Sequence, residues 1–424
     1  MNILIIALGS RGDVQPYIAL GKGLKKYGHS VRIISHQNFK ELINSHGLEF
    51  CAVEGSVQDI AQSKEMQKLL EKGNFLSVMS LMKKEATLGA INLAQAGILA
   101  CKDINLIVAG IGGMFAGISL AEKFEIPFLQ AYYIPFTPTK SFPSFLFPKL
   151  PFHSVGFLNR FTYSIARQII WQGYKSSDNL ARKQVLGLPP SSFFGPFKSD
   201  RFNENPVLYG FSPSVIPKPY DWDNNIYITG YWLLEQEDDW IPPTELVEFI
   251  KSGTKPIYIG FGSMSSRKPE ETVDIILSAI VKTKQRAIML AGWGGLKKAN
   301  LPDNVFMIDS IPISWLFPRV SAAIHHGGAG TTAEALKAGI PSVVIPFFGD
   351  QFFWGRLVFE LGVGTEPILR KKLTAERLSK AIQKAVTNEE MCQRASDLGV
   401  KIRMEDGVAN AIAVIQQLQS MLKI

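Results

Sequence analysis

Residues 2–8 form an apolar run, Asn-Ile-Leu-Ile-Ile-Ala-Leu, and a Gly-Ser-Arg-Gly turn then leads into a segment with Val14, Ile18, Leu20 and Leu24 at near-helical spacing. The pattern predicts strand, loop, helix. It recurs: Ser30 to Ser35 reads as a strand, a helix runs to His46, a short strand covers Leu48 to Val53, and Asn105 to Ala109 is a strand ahead of the Gly112-Gly113 loop and another helix. Apolar strands alternating with amphipathic helices imply a parallel sheet covered on both faces.

The alternation breaks where Phe-Ser-Pro-Ser-Val-Ile-Pro-Lys-Pro fills positions 211–219. Prolines at that density mark a linker or domain edge. A second series of the same kind begins at Pro256-Ile257-Tyr258-Ile259-Gly260-Phe261-Gly262-Ser263. It continues through Ala287 to Ala291, Val305 to Ile308, Ala322 to His325 and Ser342 to Ile345. The expected division is a first doubly wound domain over 1–214, a second over 215–404, and a terminal helix over 405–424. Within that helix Val408 to Leu422 carries few charges on one face, which suits packing back across the junction.

One stretch fits neither series. Seven phenylalanines, at 136, 142, 145, 147, 152, 157 and 161, alternate with Pro135, Pro138, Pro143, Pro148 and Pro151. The prolines exclude one regular helix, and the apolar area is too large to leave in water. Capping an apolar cavity, touching a membrane surface and filling the core all remain open for it.

Composition narrows the setting. A chain of 424 residues, 46% of them hydrophobic, holds two domains with ample core. The opening run is too short and lacks the basic leader of a signal peptide, and no stretch matches a spanning helix, so a cytoplasmic protein is expected. Cys51, Cys101 and Cys392 have no paired spacing and read as buried thiols, with no metal site. The net charge of +8 comes from lysines dispersed along helices, such as Lys22, Lys25 and Lys26. That distribution does not suit nucleic acid; an anionic substrate or membrane surface fits it better.

The chemistry concentrates at residues 325–339, His-His-Gly-Gly-Ala-Gly-Thr-Thr-Ala-Glu-Ala-Leu-Lys-Ala-Gly, between an apolar strand and a helix. Glycines let the backbone approach a ligand, and the amides at a helix start favour an anion. His326 with the amides of Gly328, Gly330 and Thr331 would cradle a diphosphate. The next strand ends at Pro346-Phe347-Phe348-Gly349-Asp350-Gln351, at the same carboxyl edge of a parallel sheet. An adjacent carboxylate and carboxamide there suit sugar hydroxyls. Upstream, Trp315 can stack on a base.

The series His326, Gly328, Thr331, Glu334, Gly339, Pro341, Asp350 and Gln351 resembles the donor signature of the nucleotide-sugar-dependent glycosyltransferases. Nearly the whole chain is similar to their sterol glucosyltransferase branch, through Gly-Ser-Arg-Gly-Asp-Val-Gln-Pro at 9–16, Tyr-Gly-Phe-Ser-Pro at 209–213, Thr-Gly-Tyr-Trp at 229–232 and Gly-Phe-Gly-Ser-Met at 260–264. The resemblance implies the GT-B fold, two Rossmann-like doubly wound parallel-sheet domains facing across a cleft, and an inverting, metal-independent hexose transfer. It implies a UDP-sugar donor, UDP-glucose first, with Trp315 on uracil, Ser263 and His326 on the diphosphate, Glu334 on the ribose, and Asp350 and Gln351 on the glucose. The acceptor would be an apolar alcohol of sterol or terpenoid type, met with peripheral contact at the inner membrane face; another lipid, polyketide or phenolic acceptor is the alternative.

An inverting transfer also needs a base for the acceptor proton. Asp13 ends the loop after the first strand, at its carboxyl edge. Spacing alone leaves it either a helix cap or the base; the family match, in which a Gly-x-x-x-Pro string carries the base at this place, selects the base. The strand-to-helix turn Gly-Ser-Arg-Gly lacks the Gly-x-Gly-x-x-Gly of a dinucleotide oxidoreductase. A nucleotide-sugar epimerase, a phosphorylase or a non-catalytic nucleotide-sugar or lipid-binding protein on the same scaffold are the other readings.

Overall fold

The computed structural model describes residues 1–54, 75–148, 156–235, 240–261, 269–291 and 301–422. By their contacts they form two compact units: Met1–Pro213, Pro217–Leu234 and Asp406–Ile424 make the first, and Ser214–Ile216 with Glu235–Glu405 the second.

The first unit runs β1 (Asn2–Ile6), α1 (Arg11–Lys26), β2 (Ser30–His36), α2 (Lys40–Ser45), β3 (Glu49–Val53), α3 (Phe75–Ala100), β4 (Leu106–Ala109), α4 (Met114–Phe124), β5 (Phe128–Tyr132), α5 (Gly156–Ala181), α6 (Asp200–Glu204), β6 (Val207–Tyr209) and β7 (Ile226–Ile228). Its seven strands are parallel in the order β3-β2-β1-β4-β5-β6-β7. The apolar run of β1 is explained by burial on both faces. Ile3, Ile5 and Ala7 pack with Val14 and Ile18 of α1, while Leu4 and Ile6 are equally buried on the other side.

The second unit contains α7 (Thr244–Lys251), β8 (Ile257–Gly260), α8 (Pro269–Thr283), β9 (Ala287–Leu290), β10 (Val305–Ile308), α9 (Ile313–Leu316), β11 (Ala323–His325), α10 (Ala329–Ala338), β12 (Ser342–Val344), α11 (Gln351–Glu360), α12 (Ala375–Thr387) and α13 (Glu389–Arg403). Its five parallel strands lie in the order β10-β9-β8-β11-β12. One core holds Ile259, Ile276, Ile324 and Ile382; the other holds Tyr258, Leu316, Ala323 and Ala335.

The terminal helix α14 (Gly407–Leu422) belongs to the first unit. Ala411, Ile412 and Ile415 are buried in the same core as α1. Gly23 of α1 makes that approach possible, since a β-carbon there would lie 2.3 Å from Val408 Cγ1. Asn410 Nδ2 then donates to the Thr229 carbonyl at 2.9 Å. Residues 217–234, set with the second domain by the proline-dense break, also join the first unit. The reason is pairing: β7 completes the first sheet beside β6, and Trp222 stacks on Tyr209 with ring centroids 4.8 Å apart.

Each sheet reverses its winding once, between β1 and β4 in the first and between β8 and β11 in the second. In open parallel sheets such a reversal leaves a crevice outside the carboxyl ends of the two strands, where ligands bind. Asp13 follows β1, and His326 follows β11. Among the described residues no helix is long and apolar enough to cross a membrane.

Candidate active site

In the second unit β11 ends in the fully buried His325, whose Nδ1 accepts the Gly327 amide at 3.1 Å. The backbone turns at Gly327 with φ +88°, where a β-carbon would meet Val344 Cγ1 at 2.6 Å. Gly328 caps α10 and lies under the next imidazole, because a β-carbon on it would be 2.5 Å from Nε2 of His326. The amides of Ala329, Gly330 and Thr331 open α10 and have no carbonyl partner within the helix. Their partial positive charge suits an anion.

Burial pushes His326 down to about 4 and, with His326 adding to it, His325 to about 3. Both rings are therefore uncharged at neutral pH. His326 Nδ1 is buried without a hydrogen-bond partner. His326 can offer a ligand one N–H dipole rather than a full charge, and the helix amides supply the rest of the anion's field. Glu334 lies one turn along α10 from Gly330 and Thr331, on the same face. Burial pushes its carboxyl up to about 7, with Lys337 opposing the shift.

The Asp350-Gln351 pair stands at the start of α11. Gln351 is buried, and its Oε1 accepts the amides of Phe347 at 2.8 Å and Phe348 at 3.2 Å. Its carbonyl thus holds its own loop, and the NH2 group is what it has left to offer a ligand. Trp354 Nε1 donates to Asp350 Oδ2 at 3.1 Å and orients that carboxylate. Trp315 on α9 carries the Arg319 guanidinium over its ring at 4.2 Å and meets Trp240 edge to face with centroids 5.2 Å apart. A base would stack on the ring face opposite Arg319. Ser263 lies outside the described residues.

In the first unit Asp13 is the third residue of α1. Its Oδ2 accepts the Ser10 amide at 2.6 Å and the Ser10 hydroxyl at 2.7 Å, so the capping geometry is present. Its Oδ1 accepts the hydroxyl of Tyr133, the residue after β5. Tyr133 was not legible as a partner of Asp13 from sequence spacing. Across the winding reversal, the loop after β4 comes close to β1: a β-carbon on Gly112 would lie 2.4 Å from the Leu8 carbonyl.

Other singled-out residues have structural places. Asp221 accepts the Thr139 hydroxyl at 2.6 Å and the Lys140 amide at 2.9 Å, so it ties a turn of the first unit. The phenylalanine-rich stretch divides in two. Phe136 and Phe145 are buried in the core, whereas Phe157 and Phe161 on α5 are 74% and 52% exposed and stack on each other; Phe152 lies outside the described residues.

Two strand-switch sites, one of them with a helix-start anion cradle, are the layout of a nucleotide-dependent transferase. The chain matches the Glycosyltransferase family 28 N-terminal domain over residues 3–143 and the Erythromycin biosynthesis protein CIII-like C-terminal domain over 275–411. It is 38% identical to a sterol 3-beta-glucosyltransferase of Aspergillus fumigatus over 98% of this chain and 30% of that protein. The corresponding figures are 37%, 98% and 27% for that of Cryptococcus neoformans, and 36%, 98% and 34% for that of Komagataella phaffii. Among solved structures, the glycotransferase of kitacinnamycin superposes with a TM-score of 0.69 at 16% identity, covering 98% of both chains. The calicheamicin glycosyltransferase does so at 0.66 and 18%, over 99% of this chain and 98% of that one. The chain belongs to the nucleotide-sugar glycosyltransferases of the GT-B fold. Within them it stands beside the sterol 3-beta-glucosyltransferases, and it spans about a third of the length of those relatives.

Proposed function

We propose that the chain is an inverting glucosyltransferase that moves glucose from UDP-glucose to the hydroxyl of an apolar, sterol-type acceptor, with Asp13 as general base. The observation that carries this reading is the cradle at the head of α10, where His326 packs on Gly328 beside three unsatisfied helix amides. In this reading the diphosphate sits on those amides and on the His326 N–H, uracil stacks on Trp315, and Glu334 meets the ribose. Asp350 accepts from glucose hydroxyls and the Gln351 amino group donates to them, with Ser263 an added phosphate contact. Donors fixed in advance at the leaving diphosphate stabilise the charge that grows there as the glycosidic bond breaks. The acceptor hydroxyl attacks the opposite face of the anomeric carbon and loses its proton to Asp13. The similarity to sterol 3-beta-glucosyltransferases over nearly the whole chain favours glucose and a sterol over other pairs.

The test is transfer from radiolabelled UDP-glucose to a panel of sterols, terpenoids and phenolics. Asp13→Asn should abolish transfer and leave UDP-glucose affinity within about threefold, since general-base removal acts on the chemical step. Wild-type turnover in that variant would remove Asp13 from the reaction.

We also propose that the enzyme is cytoplasmic and collects its acceptor in peripheral contact with a membrane. The support is the outward face of α5, where Phe157, Phe161 and Ile169 are exposed beside the exposed Arg160. Rings and a basic residue on one face suit an anionic lipid surface. Phe157→Asp with Phe161→Asp should lose co-sedimentation with vesicles containing phosphatidylglycerol; undiminished binding would exclude this face.

A further inference from the structure

The last residue of β11 anchors the turn that opens the donor cradle. His325 pairs with Gly260 of β8 and Val344 of β12, and its carbonyl accepts the Ile345 amide at 2.9 Å, so the sheet fixes its backbone. Its side chain is fully buried, and Nδ1 accepts the Gly327 amide at 3.1 Å. An amide can only donate, so Nδ1 is the bare nitrogen and the proton sits on Nε2. Burial, which pushes the ring down to about 3, keeps that uncharged form at neutral pH. Nε2 is buried and has no hydrogen-bond partner among the described residues. A ring that only filled space would carry this unpaired N–H at a cost that an apolar side chain of similar size avoids. What the imidazole gains is the bond to Gly327.

That bond joins a side chain to the amide two residues on, the geometry by which Asn and Asp close tight turns. It draws the chain back at Gly327, φ +88°, and seats the turn between two neighbours: a β-carbon there would lie 2.6 Å from Val344 Cγ1 and 3.0 Å from the Gln351 carbonyl oxygen. Without it the Gly327 amide is a buried donor lacking a partner, and it recovers one only by turning toward water, which moves the residues that follow. Those residues are Gly328, the cap of α10, and the helix-start amides behind it. We propose that His325 is a positioning residue of the donor site: by closing this side-chain turn on Gly327 it seats the loop against β12 and α11, and so sets where His326 and the Ala329, Gly330 and Thr331 amides meet the diphosphate. Being fully buried, His325 acts through the loop rather than on the donor. Its role rests on the reading of the α10 start as the diphosphate cradle.

Three substitutions separate this role from packing. His325→Asn keeps an acceptor at the place of Nδ1, His325→Gln carries it one methylene further out, and His325→Leu fills the space and removes it. UDP is titrated calorimetrically into each variant after urea unfolding has shown it folded. Affinity should stay within about threefold of wild type in His325→Asn and fall about tenfold or more in the other two, on the scale of a small displacement of ligand-positioning groups. Packing alone predicts the opposite order, since leucine replaces the apolar volume while asparagine leaves space and buries an amide. Equal affinity in all three, or tighter binding by His325→Leu than by His325→Asn, overturns the role. Should His325→Asn not fold, His325→Ser against His325→Ala asks the same question, because the serine hydroxyl closes this turn more weakly and alanine does not close it; equal UDP affinity in that pair overturns the role as well. A wild-type chain that does not bind UDP fails differently, because it removes the donor cradle itself.

Discussion

A β-carbon on Gly9 would lie 2.5 Å from Oδ2 of Asp13 and 2.7 Å from its Cγ. The carboxylate can rest against the loop after β1 because residue 9 has no side chain. Gly9 also has φ +133°, in the region that disfavours residues with a β-carbon. Gly9→Ala should therefore lift Asp13 off its Ser10 clamp without removing any catalytic group. Transfer is expected to fall about 100-fold, the scale of a small misplacement in a reacting constellation, while UDP affinity, which the proposed function assigns to the second unit, stays within about threefold. Steady-state kinetics beside calorimetric UDP titration checks both halves; an undiminished kcat would mean that the clamp does not set the carboxylate's position.

What was legible in the sequence is what is local in the chain. His326, Gly328 and Glu334 fall along one strand-turn-helix passage, with Trp315 on the short helix before it, so their order and spacing can be read along the chain. Tyr133 could not be read the same way. It reaches Asp13 because β5 is the second strand from β1 in the sheet order, a fact no local pattern encodes. Gln351 was legible as a polar residue at a sheet edge, yet its carbonyl serves the Phe347 and Phe348 amides. The prolines at 211–219 read as a domain edge, but β7 beyond them has three residues, too few to show a period, and it pairs with β6.

Gly328→Ala isolates the donor cradle. The backbone at Gly328, φ −61° and ψ 146°, suits any L-residue, so the substitution strains no dihedral. Its new methyl would meet His326 Nε2 at 2.5 Å and must move the imidazole. Folding stability should fall by about 1–3 kcal/mol, the cost of overpacking beside the imidazole. UDP affinity should fall roughly 10- to 100-fold, the equivalent of about 1.5–3 kcal/mol for a hydrogen bond to a charged group. Calorimetric titration with UDP is decisive; unchanged affinity would detach His326 from the diphosphate.

Glu334 makes stability depend on pH in a direction opposite to its histidine neighbours. Its folded value of about 7 lies above that of an unfolded glutamate, so between roughly pH 4.5 and 7 the folded state holds a proton that the unfolded state has released. Stability from this group is full below that window and is lost as pH rises through it. For His325 and His326, pushed down to about 3 and 4, the unfolded state is the one that binds protons, between their folded values and about pH 6.5, so stability falls as pH drops. Glu334→Gln should accordingly unfold at higher denaturant than wild type at pH 8, by about 1–3 kcal/mol, and at the same denaturant near pH 4. Urea titrations at the two pH values test this, and equal gains at both would show that ionisation of Glu334 is not involved.

Arg167 is the other charge whose surroundings set an expectation. It is 92% buried on α5, with its guanidinium 5.1, 5.2 and 5.9 Å from the ring centroids of Phe136, Phe197 and Phe202. Its Nε has no hydrogen-bond partner, and among the described residues no carboxylate forms an ion pair with it. Cation–π contacts contribute about 0.5–2 kcal/mol each, against an effective desolvation penalty of several kcal/mol for a buried ion. The charge therefore comes close to breaking even at best. Methionine keeps an unbranched stem among the same rings and puts a polarizable sulfur where the charge was. Arg167→Met is expected to be neutral or to stabilise by up to about 2 kcal/mol, whereas Arg167→Glu, a buried charge facing the negative faces of three rings, should destabilise by more than about 3 kcal/mol. Denaturant unfolding of the two variants decides between a tolerated charge and a required one: a loss of several kcal/mol in the methionine variant would mean that the guanidinium holds the aromatic cluster together rather than being held by it.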